Sequence, residues 1–194
     1  MPSKDEIPQL AKRLSEMAAK LKKPGAAVKV AGRAVQNTLK KHFTQKNKVP
    51  NKRGWKKSGF WGQVRESTQL MMEGESKCIV IINDPRFMQR LHGGRITPKD
   101  GRKAISIPLK PEFAGINPSF FGRDHFILVK SKSGKSIGFL ATRQADGSLR
   151  MCYVLRKYVD QAADPTALPL LSVIEAAAGK ALTDQMAREL RAEK

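Results

Sequence analysis

Between residues 126 and 156 the chain commits itself to an antiparallel sheet. Three apolar runs, 126–130, 137–142 and 149–156, follow one another across short polar breaks. Lys132-Ser133-Gly134-Lys135 joins the first two and Asp146-Gly147 leads into the third; connections this short can only join antiparallel neighbours. In the third run Leu149, Met151, Tyr153 and Leu155 alternate with Arg150, Cys152, Val154 and Arg156, the period of a strand with two unlike faces. A meander of three strands is the minimum architecture that satisfies these constraints.

Upstream, Leu70-Met71-Met72 and Cys78-Ile79-Val80-Ile81-Ile82 flank the polar break Glu73-Gly74-Glu75-Ser76, which predicts a hairpin. The second of these runs is apolar on both faces and β-branched, so it is expected to be a central strand. Asn83-Asp84-Pro85 ends it, a short helix is expected over 86–91, and another strand over 104–109. Residues 110–124, with two prolines, read as irregular.

The remaining apolar pattern is helical. Ile7, Leu10, Leu14 and Leu21 recur at helical steps until Pro24-Gly25, which reads as a stop. Val28, Ala31, Val35, Leu39 and Phe43 define a second helix over about 26–45, whose alanines and Gly32 leave a thin face for a neighbouring helix. Phe60, Trp61 and Val64 suggest one or two helical turns. Leu171, Ile174, Ala178, Leu182, Met186 and Leu190 give a long stripe, and Asp164-Pro165-Thr166 supplies a start signal for a helix over about 167–190. The expected fold class is α+β: an antiparallel β-sheet meander with two N-terminal helices and one C-terminal helix packed on it. The chain reads as a single domain over 1–194, made of a basic helical part (1–45), a basic flexible loop (46–58), a sheet region (59–160) and the C-terminal helix (161–194).

Charge is the unusual bulk property. Among 194 residues, 37 are Lys or Arg and 17 are Asp or Glu, for a net charge of +20. Residues 1–58 alone hold 16 basic side chains against 3 acidic ones. Such a region favours a polyanion or an acidic protein surface. Within it, the loop carries Lys52, Arg53, Trp55, Lys56 and Lys57, a basic and aromatic mixture suited to phosphate contact with base stacking, or to an acidic partner. Phe60 and Trp61, just beyond, are expected to anchor the loop to the core.

Catalytic patterns are missing from the sequence. His42, His92 and His125 have no ligand partner three or four residues on, and Cys78 and Cys152 form no paired metal motif; both thiols are expected to be buried and reduced. Gly134-Lys135-Ser136 resembles a phosphate loop only superficially, because the position five residues before Gly134 is Val129 and a strand, not a helix, follows. Asp84, Asp100, Asp124 and Asp146 sit in turn-like settings. No catalytic residue, metal or cofactor is expected. No run of about 18 apolar residues is present, and the first six residues lack the apolar core of a signal peptide, so synthesis in a bacterial or host cytosol without membrane insertion is expected.

Residues 92–109, His92-Gly93-Gly94-Arg95-Ile96-Thr97-Pro98-Lys99-Asp100-Gly101-Arg102-Lys103-Ala104-Ile105-Ser106-Ile107-Pro108-Leu109, resemble the glycine-glycine segment of the tailed-bacteriophage virion-morphogenesis, or tail-completion, family. The order of strands and final helix over roughly 60–190 is similar as well. The chain departs from that pattern at 163–168, where Ala163-Asp164-Pro165-Thr166-Ala167-Leu168 keeps the proline of an Arg-Pro-aromatic turn and lacks its other two members. The resemblance implies a non-enzymatic minor tail or head–tail joining protein that forms a ring with copies of itself in the virion. Its partners would be connector, neck and tail-tube proteins, and it would reside in the host cytoplasm before assembly. His92, Gly93, Gly94, Arg95, Pro98 and Lys99 would then form the assembly interface; non-specific DNA contact through the basic residues is an expectation from the charge, not from the resemblance. The alternative is a basic, non-enzymatic nucleic-acid-binding protein of phage or mobile-element origin.

Overall fold

The computed structural model describes residues 24–50, 53–55, 58–99, 101–131 and 136–191. The helix expected over 7–22 lies outside them. The described residues form an α+β fold with two compact units. One comprises the described residues within 24–49, 59–92 and 164–191, and the other those within 50–58 and 93–163.

The first unit is built on helix α1 (Pro24–Lys48). Pro24, which reads as a stop in the sequence, opens this helix; a proline suits the first turn because its missing N–H has no intrahelical partner there anyway. Short helix α2 (Phe60–Glu66) leads into a hairpin of β1 (Thr68–Glu73) and β2 (Lys77–Ile82), followed by helix α3 (Pro85–His92). The final helix, α4 (Leu171–Arg191), packs along α1, where Ala27 and Ala31 meet Ala178 and Leu182 in a dry contact. Helix therefore packs on helix here, where the sequence predicts helix on sheet. Small side chains explain it, since alanines let two helix axes approach.

Gly32 has a different neighbour from the one expected. A Cβ at this position would lie 2.6 Å from Cys78 Sγ and 2.7 Å from Leu70 Cδ1, so the hairpin, not a helix, occupies the thin face. That placement also corrects the reading of residues 78–82. Among the described residues β2 pairs only with β1, in a two-stranded sheet. Its apolar content serves packing: Val80 and Ile82 reach the cluster of Leu39, Phe43, Val64, Phe87 and Ala167. The ring of Phe43 lies stacked on Trp61 (centroids 5.9 Å apart) and edge-on to Phe87 (5.8 Å), so Trp61 does anchor this core.

Asp84 caps α3. Its Oδ1 accepts from Arg86 N at 2.9 Å, satisfying an N–H that the helix cannot, while the Arg86 side chain returns to the same carboxylate. Helix α4 begins later than the capping pattern at 164–166 implies. Asp164 spends its carboxylate on Thr166, on Lys46 at 3.3 Å and on Arg90 at 3.5 Å. Pro169 then disfavours the helical conformation for Leu168 before it, and the helix starts at Leu171.

The second unit contains a four-stranded antiparallel sheet in the order β4-β7-β6-β5: β4 (Ile105–Pro108), β5 (Ile127–Lys130), β6 (Ser136–Arg143) and β7 (Leu149–Arg156). The meander is present as β5, β6 and β7, with β4 added along β7. Gly147 N donates to Gln144 O and Ser148 N to Asp146 Oδ1, which makes the turn before β7. Register shifts in the β6–β7 pair break strict alternation, and Cys152 and Tyr153 are both buried. Tyr153 packs with Phe113, Phe121, Phe126 and Leu140, and its hydroxyl donates to Ile116 O at 3.1 Å. Phe113 and Phe121 come from single 3-10 turns within 110–124, so the irregular stretch supplies much of this core.

Candidate assembly segment and basic surfaces

His92 ends α3 and is exposed; the chain then turns sharply at two glycines with positive φ, Gly93 (70°) and Gly94 (115°). Gly93 is held against backbone. A Cβ there would sit 2.5 Å from Ala163 N and 2.6 Å from Gln161 O, closer than real Cβ contacts allow. Gly94 to Ile96 form β3, which pairs antiparallel with β8 (Val159–Gln161), a strand not expected from sequence. Both strands are three residues long and too short for periodicity to register.

Arg95 does not stand free on this ladder. Its Nε donates to Asp160 Oδ1 at 2.9 Å, and its guanidinium lies 3.9 Å from the centroid of the Tyr158 ring. The bond to Asp160 raises the Arg95 pKa above its ordinary value. Both ion-pair partners are more than half exposed, so the contact orients the side chain and adds little stability. Past β3, Pro98 is half-buried and Lys99, Arg102 and Lys103 are exposed. The structure thus brings Gly93, Gly94 and Arg95 together on one built ladder, with Lys99 on the polar loop beyond.

In the basic loop, Arg53 and Trp55 are described; Lys52, Lys56 and Lys57 lie outside the described residues. The Arg53 guanidinium stacks 4.9 Å from the Trp55 centroid, and Nη1 donates to Pro108 O at 3.4 Å. One face of Trp55 is therefore already engaged by a cation of its own chain. Trp61 has no role in that surface, being a core residue that also receives Lys46 at 5.2 Å.

A basic helix face that the sequence shows as Lys29, Arg33, Lys40 and Lys41 opposite the apolar stripe lies on α1, where the structure gives it a second wall. Lys29, Arg33, Gln36 and Lys40 line one wall of a groove of about 430 Å³ whose opposite wall is β1. Their spacing of four, three and four residues is the signal, and it was legible as one polar helix face.

Among the described residues no cluster of three His, Cys, Asp or Glu is placed to hold a metal ion, and no helix is long and apolar enough to cross a membrane. Cys152 is buried and Cys78 half-buried, and burial raises the Cys78 thiol pKa. No protein-family model matches this chain, nor does any curated protein or solved structure.

Proposed function

We propose that this chain is a structural protein of a tailed bacteriophage or prophage, acting without catalysis in tail completion or head–tail joining. The observation that carries the reading is the resemblance of residues 92–109 to the glycine-glycine segment of that family. The local physics is consistent with a contact element. A glycine that no other residue can replace cheaply fixes the start of the segment, and a short ladder fixes its direction. The loop that follows offers cations to an acidic neighbour. His92, Gly93, Gly94, Arg95, Pro98 and Lys99 are the proposed contact residues, and copies of the chain forming a ring, together with neck and tail-tube proteins, are the proposed partners.

The test is virion association. Particles purified through a density gradient should contain the chain in a fixed number of copies, and gold-labelled antibody should mark the neck or tail end. A chain recovered only in the soluble fraction of the lysate, with none on particles, overturns the proposal.

A further inference from the structure

We infer that the groove between α1 and β1 binds the sugar-phosphate backbone of single-stranded nucleic acid, a role independent of the tail-completion reading. The cations of the α1 wall are Lys29, Arg33 and Lys40. At 1.5 Å of rise per residue they span about 16 Å of one rigid helix face. None of the three makes an ion pair among the described residues. Gln36 sits between Arg33 and Lys40, tied by Nε2 to Thr68 O at 3.1 Å, which joins the helix wall to the start of β1. A fixed row of uncompensated cations is what tracks a regularly charged polymer.

The opposite wall decides between ligands. It offers Thr68, Gln69, Leu70 and Met72 and no cation, while the carboxylate of Glu66 in the groove is engaged by Arg65. A single strand has phosphates along one edge and flat bases with polar edges along the other, so it matches one cationic wall and one that mixes apolar side chains with an amide and a hydroxyl. A duplex would bring its second row of phosphates to the β1 wall, where nothing compensates them. An acidic peptide would match the cations and leave Leu70 and Met72 unused. Met72 is 38% exposed, open to such contact.

The test uses the full chain and a fluorescein-labelled 20-nucleotide oligo-dT, titrated from 50 to 300 mM salt. A +20 protein binds any polyanion to some degree, so the comparison is between two variants that remove equal charge. Lys29→Gln/Arg33→Gln/Lys40→Gln should weaken binding at least tenfold and flatten the salt dependence by about 2 log units per decade, three contacts at roughly 0.7 each. Lys110→Gln/Lys130→Gln/Arg143→Gln, three exposed cations outside both candidate surfaces, should change affinity less than threefold. Met72→Glu, which leaves the helix untouched, should weaken binding as well and guards against a folding artefact in α1. Equal losses from the two triple variants, or no loss from the first, overturn the inference. So does competition by a 20-base-pair duplex or by polyglutamate as effective as that of unlabelled oligo-dT.

Discussion

Replacing Gly93 with alanine should cost far more than the same change at Gly147, and the difference measures how tightly the candidate segment is built. Both glycines have positive φ, 70° and 81°. A Cβ in that conformation costs about 1–2 kcal/mol by itself. At Gly147 nothing lies within 4 Å of the added atom, so that penalty is the whole effect. At Gly93 the new Cβ overlaps Ala163 N at 2.5 Å, Gln161 O at 2.6 Å and the Ala162 carbonyl carbon at 2.9 Å. These are backbone atoms and cannot rotate aside, so an overpacking cost of about 1–3 kcal/mol adds to the first. The expected loss is about 2–5 kcal/mol for Gly93→Ala against about 1–2 for Gly147→Ala. Amide hydrogen exchange is the assay, because it reads the β3–β8 ladder locally where a global melt of two units would not. Peptides covering 94–96 and 159–161 should lose protection in Gly93→Ala and keep it in Gly147→Ala. Equal protection in the two variants would refute the backbone-contact argument.

Phe43→Ala should destabilise the first unit by about 3–5 kcal/mol, since a fully buried ring is lost from between Trp61 and Phe87; red-shifted Trp61 emission would report it, and an unchanged spectrum would contradict it. Asp84 is held below the usual carboxylate range by the hydrogen bond from Arg86, which outweighs its burial. Burial raises Asp164, but hydrogen bonds from Thr166 and Lys46 outweigh it and leave that pKa lowered too. Depressed folded pKa values stabilise above the unfolded value of about 3.9 and lose that effect as pH falls through the folded values. Stability should therefore fall below about pH 4. Asp84→Asn/Asp164→Asn should lose stability at neutral pH and show a shallower acid decline; an unaltered acid limb would count against both assignments. With its net charge of +20, the isolated chain should associate weakly, and more readily as salt screens like charges over about 8 Å at 0.15 M. Light scattering that finds a tight dimer indifferent to salt would oppose this.

The sequence made β5, β6 and β7 legible because tight turns and a period of two leave few alternatives, and long stripes did the same for α1 and α4. It misled at residues 78–82, since apolar content on both faces does not distinguish a central strand from a hairpin packed on a helix. It also misled at the start of α4, where Asp164 has the composition of a cap and instead binds its neighbour Thr166 together with Lys46 and Arg90, both more than seventy residues away in sequence. For the candidate segment, Gly93-Gly94 was readable as a sharp turn. The partners that make Gly93 irreplaceable, at 161–163, and those that occupy Arg95, at 158 and 160, come from a three-residue strand with no pattern of its own. The groove on α1 was hidden for another reason: a lysine stripe reads as a solvated face until a second wall is seen beside it.

Deleting the gene from the genome that carries it, then examining induced lysates by electron microscopy, tests the central proposal most directly. Loss of the chain should leave filled heads and tails that fail to join. The wild-type chain supplied in trans should restore infectious particles, and the Gly93→Ala chain should restore few. Normal, joined and infectious particles in the complete absence of the chain would contradict the account.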